Sequence, residues 1–196
     1  MKTPPTYEIL LENLATLGYP PENKPLKVLS VIPDTRNGGT KHAYCALSNN
    51  LYLFAFDAFR NSSYPASTFT GIYTDVDLPP EAEYRVMKRD WTHFIFKNRR
   101  HLGNHEMNRL LTIISPHWVP GRELSKHNVD LFISLHNTGS LYTLLVKDNY
   151  LPQIEELKGK KILGIETRSW LYKKEELARF IDQGQQLILD LKRNCR

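Results

Sequence analysis

The stretch KHAYCALSNNLYLFAFDAF (41–59) places two apolar runs on either side of the short polar sequence SNN (48–50). Runs rich in aromatic and β-branched residues that are separated by a short Asn-containing segment are typical of two strands joined by a tight turn. Consecutive strands of a hairpin run antiparallel. This stretch therefore predicts a β-hairpin and favours a fold built on an antiparallel sheet.

A second hairpin is predicted from VDLFISLH (129–136) and LYTLLVKD (141–148), which flank NTGS (137–140). This is the clearest hairpin signal in the chain, because Gly139 can adopt the positive φ that such turns require. Alternation along the first of these strands would place four apolar side chains on one face: Val129, Leu131, Ile133 and Leu135.

Other segments with strand character lie between the chain ends. They are LKVLSVI (26–32), TFTGIYTDVDL (68–78), EYRVMKRDWTHFIF (83–96, one or two strands) and KKILGIETRSW (160–170). The run HEMNRLLTII (105–114) is too short for its periodicity to distinguish a strand from a short helix.

Helical patterns occupy both ends of the chain. The first covers residues 4–17, with Thr3 as a possible N-cap and Pro4 at the first helical position. The second covers residues 173–193, and its buried stripe is expected to consist of Leu177, Phe180, Ile181, Ile188 and Leu191. With the strand-rich segment 26–172 between them, these helices predict a single α+β domain over residues 1–196, with a mainly antiparallel sheet.

The composition is that of a globular protein with a mildly basic charge. The 196 residues carry a formal net charge of +5, which permits an anionic partner without requiring one. The two cysteines form no metal or redox motif, and no apolar stretch approaches the ~20 residues that span a bilayer. We therefore expect a cytoplasmic protein with no membrane segment and no cofactor, although a fragment of a longer membrane protein would show the same pattern.

Cations and aromatic residues alternate between residues 85 and 101. Arginine binds phosphate through paired donors, and aromatic rings stack on bases, so this pattern suits nucleic acid, nucleotides or an acidic membrane surface. In the alternative, some of the aromatic side chains face the core and the cations only solvate the outer face of the sheet. The candidate anion-binding residues are Arg85, Lys88, Arg89, Lys97, Arg99 and Arg100.

A metal site is the competing interpretation of the adjoining stretch RRHLGNHEMNR (99–109). His101 and His105 are four residues apart, the spacing of two ligands on one helix face, and Glu106 could ligate or act as a base. Gly103 and Asn104 weaken a helix there, and a solvated loop accounts equally for these residues.

The tetrapeptide GNHE (103–106) resembles one signature block of the calcineurin-type metallophosphoesterases. That family also has D-x-H, G-D and G-H-x-H blocks, which this chain lacks, so the bridging carboxylates of a two-metal centre are missing. Asp75 and Asp77 form a second acidic pair that could bind a metal or act in acid–base catalysis, although solvent-facing pairs are common.

Three further features have both a functional and a structural interpretation. The loop PDTRNGGTK (33–41) could cradle a phosphate but lacks the Walker A spacing, and it is also a suitable strand connection. Cys45 and His42 are three apart on a strand and should point to opposite faces, which leaves the thiol without a base. Glu166 and Arg168 share a strand face and are expected to form an ion pair.

The order TFTGIYTDVDLP (68–79), WTHFIFKNRRHLGNHEMNRLL (91–111) and VDLFISLHNTGSLYTLLV (129–146) resembles the soluble part of a family of uncharacterised bacterial proteins. Phe69 and Gly71 match the F-x-G-hydrophobic strand of that family. Its members often carry membrane-spanning segments ahead of this part. The family has no established activity, so the resemblance transfers no catalytic residue.

Together these observations favour a non-enzymatic binding module for an anionic ligand, a nucleic acid or a protein partner. One alternative is a divalent-metal-dependent hydrolase or nuclease that uses His101, His105 and Glu106. Another is a structural subunit of a homo-oligomer, such as a homodimer that forms through the C-terminal helix, where Gly184 would permit close packing.

Overall fold

The predicted hairpin at residues 41–58 forms two strands, which lie at one edge of an eight-stranded antiparallel sheet. A computed structural model describes residues 6–22, 41–48, 50–58, 67–96, 98–102, 104–116, 124–151 and 153–195. The strands are β1 (Lys41–Ser48), β2 (Leu51–Ala58), β3 (Ser67–Asp75), β4 (Tyr84–Lys88), β5 (Arg99–Arg100), β6 (Leu111–Ile114), β7 (Tyr142–Asp148) and β8 (Lys161–Thr167). The helices are α1 (Thr6–Thr16), α2 (His105–Leu110), α3 (Lys126–Leu135) and α4 (Lys174–Asn194).

The strand order is β1-β2-β3-β8-β7-β4-β6-β5, and every pairing is antiparallel. Helices α1 and α4 lie close to the bounds that the sequence predicts. The α+β class, with a mainly antiparallel sheet and a helix toward each end, is therefore confirmed. Among the described residues, no helix is both long and apolar enough to cross a bilayer.

Alternation along the strands gives the sheet two apolar faces, and the helices cover one of them. The side chains of Cys45, Leu53, Ile72 and Ile165 point toward α1, α3 and α4 and form one core cluster with them. The opposite face carries a second, aromatic-rich cluster: Tyr44, Tyr52, Phe54, Phe56, Tyr73, Leu145, Leu151, Ile154, Leu157 and Ile162. Burial of each side chain of this size contributes about 1.5–3 kcal/mol, so both faces stabilise the sheet.

Helix α4 packs closely on the centre of the sheet. All five residues of its predicted stripe are buried, and Gly184 is buried with them. A Cβ at Gly184 would lie 2.8 Å from Cδ1 of Ile72 and 3.7 Å from Cγ2 of Ile165. The stripe and Gly184 thus contact the protein's own β3 and β8, and a homodimer through this helix would have to use its exposed side.

The second predicted hairpin is wrong in its first half, because residues 126–135 form helix α3. The Ser125 hydroxyl caps this helix by accepting from the backbone N–H of Asn128. Val129, Phe132 and Leu135 are buried on one side of it. Gly139 does have a positive φ of 87°, but it ends the short 3₁₀ turn that follows the helix and does not form a hairpin turn.

The segment 83–96 contains one strand and not two. Residues 84–88 form β4, whereas Trp91–Ile95 form a 3₁₀ turn in which the expected alternation is lost. The run 105–114, for which the sequence left helix and strand open, contains both, since helix α2 is followed directly by strand β6. Several predictions concern residues outside the described ranges. These are Thr3, Pro4, the strand 26–32, the phosphate loop apart from Lys41, and Lys97.

His136 is buried just after α3, and its imidazole bridges two elements. Nδ1 donates to the carbonyl of Phe132 (2.9 Å), and Nε2 accepts from the backbone N–H of Tyr142 (3.2 Å). The neutral tautomer satisfies both bonds, and burial lowers the pKa of His136 below its usual value of 6.5.

We expect the free energy of unfolding to fall as the pH is lowered below about 6.5, because the unfolded chain then binds a proton that folded His136 does not. The stabilisation from neutral His136 is complete above the pKa that this residue has in the unfolded chain. It is lost as the pH falls from that value through the lower pKa of His136 in the folded protein. Urea unfolding at several pH values measures it, with His136→Gln as the test and exposed His105→Gln as the control. Equal pH dependence in the wild type and His136→Gln would contradict the assignment.

Candidate binding surface

A capped 3₁₀ turn, Trp91–Ile95, begins three residues after the end of β4. The Asp90 carboxylate accepts from the backbone N–H of Thr92 (2.9 Å) and from its hydroxyl (2.8 Å), and these two bonds lower the pKa of Asp90. Nδ1 of His93 accepts from the N–H of Asp90 and lies 3.0 Å from Oγ1 of Thr112 in β6. The turn is therefore capped at its start and attached to the sheet through His93.

This turn directs three large apolar side chains into solvent. We call Trp91, Phe94 and Ile95 the apolar tip; their side chains are 81%, 70% and 66% exposed. Three large side chains on one short turn at this level of exposure differ from the scattered single apolar residues of an ordinary surface. The capping bonds make the exposure a defined feature of the fold.

Other exposed apolar residues lie at the same end of the sheet. The backbone N–H of Arg89 donates to the carbonyl of Leu110 (2.7 Å), so Leu110 lies beside the strand that leads into the tip. Met87 pairs with Thr143, and antiparallel register therefore places Leu141 on the other side of Arg89. All the large apolar residues that are exposed in the described part of the chain collect here: Trp91, Phe94, Ile95, Phe96, Leu110 and Leu141.

Cations surround this apolar end. Lys88, Arg89 and Arg109 are exposed and adjoin it, because Lys88 pairs with Leu111 and Arg109 precedes Leu110. The Arg89 guanidinium donates to the carbonyl of Asn108 (2.7 Å), which fixes it between β4 and α2. The sequence pattern included Lys88 and Arg89 among the anion-binding candidates but omitted Arg109.

The remaining candidates lie farther along the same strands. Arg85 and Arg99 both pair with Ile114, so they share one face of the sheet, which is opposite to the face of Lys88 because Lys88 is three residues from Arg85. Arg100 projects to the other face, and its guanidinium donates to the carbonyls of Ser115 and Pro116. The predicted basic segment thus divides into cations beside the apolar tip and cations farther along β4 and the edge strand β5.

The metal candidates do not form a ligand set. His101, His105 and Glu106 are exposed, and no group of three or more His, Cys, Asp or Glu residues within the described ranges is arranged to hold a metal ion. Asp75 is bound by Lys192 (2.5 Å) and Lys160 (3.2 Å). Burial alone would raise the pKa of Asp75, but these lysines outweigh it and lower that pKa.

The thiol of Cys45 and the imidazole of His42 lie on opposite faces of the sheet. Cys45 faces the helices, whereas the His42 ring lies on the other side near Phe54, as the alternation predicts. Burial, together with the negative charge of Glu22, raises the pKa of the Cys45 thiol to about 12. A thiol with this pKa stays protonated and unreactive at neutral pH.

Glu166 belongs to a hydrogen-bonded cluster that the sequence did not predict. Its Oε2 accepts from the hydroxyls of Tyr150 (2.5 Å) and Tyr73 (3.1 Å), and Lys147 lies over the Tyr150 ring, 3.2 Å from its centre. Among the described residues Glu166 forms no ion pair with Arg168, so that expectation is wrong. Tyrosines distant in sequence bind its Oε2 instead. Burial raises the pKa of both tyrosines and lowers that of Lys147.

The hydrogen bonds of this cluster stabilise the fold. Both phenols remain protonated at neutral pH and donate to one carboxylate oxygen, so the polar groups on this part of the aromatic face are satisfied. A pair of glycines, Gly71 and Gly164, makes room for the Tyr73 ring. These glycines, which lie on neighbouring strands, are the sequence feature from which the cluster could have been inferred.

No family model matches the chain, and neither the curated proteins nor the solved structures searched give a match. The resemblance based on Phe69 and Gly71 stays a prediction.

Proposed function

We propose that this protein is a non-enzymatic binding module that takes an anionic partner at the end of the sheet formed by β7, β4 and β6. The observation that carries the proposal is the collection of exposed apolar side chains at this one end, with Lys88, Arg89 and Arg109 beside them. Exposed apolar surface is costly in water, and a patch of it beside cations is typical of an interaction site.

Charge supports an anionic partner over a neutral one. The two segments at this end, residues 88–96 and 105–111, carry the acids Asp90 and Glu106 against the cations Lys88, Arg89 and Arg109. The cations beside them leave an excess of positive charge at this end. Long-range attraction toward a polyanion follows from such an arrangement and weakens with added salt.

Removal of the two least constrained cations tests the proposal. We expect Lys88→Gln with Arg109→Gln to elute from heparin at lower salt than the wild type, because two ionic contacts are lost. The slope of log Kobs against log salt should fall by about one per contact. The matched control is Lys174→Gln with Arg179→Gln, which removes two exposed charges from α4.

Equal elution of the test variant and the wild type would contradict the proposed function. Equal losses in the test and control variants would also contradict it, since net charge alone would then account for retention. Arg100 is unsuited to this test because its bonds to two backbone carbonyls stabilise the sheet edge.

A further inference from the structure

We infer that the anionic partner is a lipid surface, with the apolar tip entering the interfacial region of the bilayer and the cations contacting lipid phosphates. This inference rests on the proposed function and names its partner. The tip residues Trp91, Phe94 and Ile95 are exposed side by side on a turn that Asp90 caps. Tryptophan with neighbouring cations is the composition that membrane–water interfaces favour.

The mixture of apolar side chains favours lipid over nucleic acid. Bases can stack on Trp91 and Phe94, but they offer nothing to the aliphatic side chains of Ile95, Leu110 and Leu141, which share the same end of the sheet. Hydrocarbon accommodates aromatic and aliphatic groups alike. A bilayer therefore covers the whole set, whereas a nucleic acid would leave part of it in water.

The geometry also favours lipid over a second copy of the chain. Face-to-face association of two copies would bring Lys88, Arg89 and Arg109 close to the same cations of the other copy, which is unfavourable. The tip projects from the sheet end, and a deformable interface can accept a projecting group without a matching cavity. Lysine and arginine can extend from the same level toward phosphates while their stems stay in apolar surroundings.

The experiment is sedimentation of the full chain with vesicles of phosphatidylcholine alone and with vesicles that also contain phosphatidylserine. We expect binding only to the anionic vesicles, and weaker binding at high salt. Replacement of both aromatic tip residues (W91S/F94S) should lower the partition coefficient at least about tenfold. Lys88→Gln with Arg109→Gln should lower it about fivefold per charge.

Trp91 also reports directly on insertion. The difference in emission between the wild type and Trp91→Phe isolates the signal of this residue, and it should shift to shorter wavelength with anionic vesicles. Lipids brominated in the acyl chain should quench it. Because Trp91→Phe keeps an apolar ring at the tip, it should bind vesicles far better than W91S/F94S. Thermal unfolding checks that both variants remain folded, which their exposure favours.

The outcomes separate this inference from the proposed function. Anionic vesicles that bind W91S/F94S as tightly as the wild type would overturn insertion of the tip. Absence of vesicle binding, with heparin retention still dependent on Lys88 and Arg109, would overturn the lipid assignment and leave the proposed function standing. Tip-dependent binding of an oligonucleotide or acidic peptide, without binding to anionic vesicles, would likewise overturn the lipid assignment. Absence of binding to both vesicles and heparin would overturn both proposals.

Discussion

Gly164→Ala is expected to lower the free energy of unfolding by about 2–3 kcal/mol, although alanine normally stabilises a strand relative to glycine. Gly164 lies opposite Tyr73 in the β3–β8 pair, and the Tyr73 ring covers it. A Cβ there would approach Cδ1 and Cε1 of that ring to less than 3.0 Å, and it would lie 3.3 Å from the carbonyl of Ile72. The ring must move, and it is fully buried.

Displacement of Tyr73 has a second cost. Its hydroxyl donates to Glu166 and lies 3.2 Å from the hydroxyl of Tyr150, so movement of the ring disturbs the whole cluster. A carboxylate that loses a donor in a half-buried position is destabilised. Gly71 lies beneath the hydroxyl end of the same ring, and the ring therefore has no free space toward either glycine.

A double-mutant cycle with Tyr73→Leu tests the cause. Removal of the ring removes the clash, so the cost of Gly164→Ala should fall to below about 1 kcal/mol when it is measured in the Tyr73→Leu variant. Urea unfolding measures all four proteins. An equal cost in both backgrounds would show that the ring is not the obstacle.

Gly184→Ala is the matched control, since it adds the same methyl group at another buried glycine. The nearest atom there is Cδ1 of Ile72, the end of a flexible side chain that can rotate away. Alanine also gains up to about 1 kcal/mol of helix propensity in α4. The expected net change is therefore small, and a loss as large as that of Gly164→Ala would contradict the distinction between a rigid ring and a mobile methyl group.

Local sequence signals were sufficient for the parts of the fold in which pattern and turn chemistry agree. The hairpin β1–β2 combines two apolar runs with a turn in which Asn50 has a φ of 60°, a conformation that asparagine tolerates. The stripe of α4 is long enough for its period to be unambiguous. In both elements the burial pattern is set by residues close in sequence.

Helix α3 illustrates why a short apolar run is ambiguous. Val129, Leu131, Ile133 and Leu135 alternate as a strand would, yet Val129, Phe132 and Leu135 also recur at three-residue intervals. The Ser125 cap selects the helical alternative, and α4 then covers the apolar side of α3. The NTGS sequence correctly predicted a positive φ at Gly139, but that conformation also ends helical turns.

At the candidate site, too, some features follow from the local sequence and others depend on pairing between distant strands. The cations near residues 85–100 are visible in the sequence, but their distribution over two faces depends on the register of β5 with β6. Alternation suggested that part of Trp91–Phe96 faces the core. The Asp90 cap instead turns the chain out of the strand. The position of Leu110 and Leu141 at the same end of the sheet as the tip arises from pairing between distant segments.

Phe132→Ala is expected to have the largest effect on stability of the substitutions considered, a loss of about 3–5 kcal/mol in the free energy of unfolding. Phe132 is only 2% exposed and belongs to the helix-side core. Its ring packs edge-on against His136, with 4.7 Å between centres, and its carbonyl accepts from the same imidazole. The substitution therefore creates a cavity beside a buried polar bridge.

Leu131→Ala is the control that distinguishes helix from strand. In a strand, Leu131 would lie in the core and Phe132 would point away from it, so Leu131→Ala would be the more damaging change. In helix α3, Leu131 is half-buried beside the core and its loss should cost about 1 kcal/mol. Urea unfolding of the two variants under the same conditions measures the difference. If Leu131→Ala lowered the free energy of unfolding as much as Phe132→Ala, the assignment of the α3 face that packs on the core would be wrong.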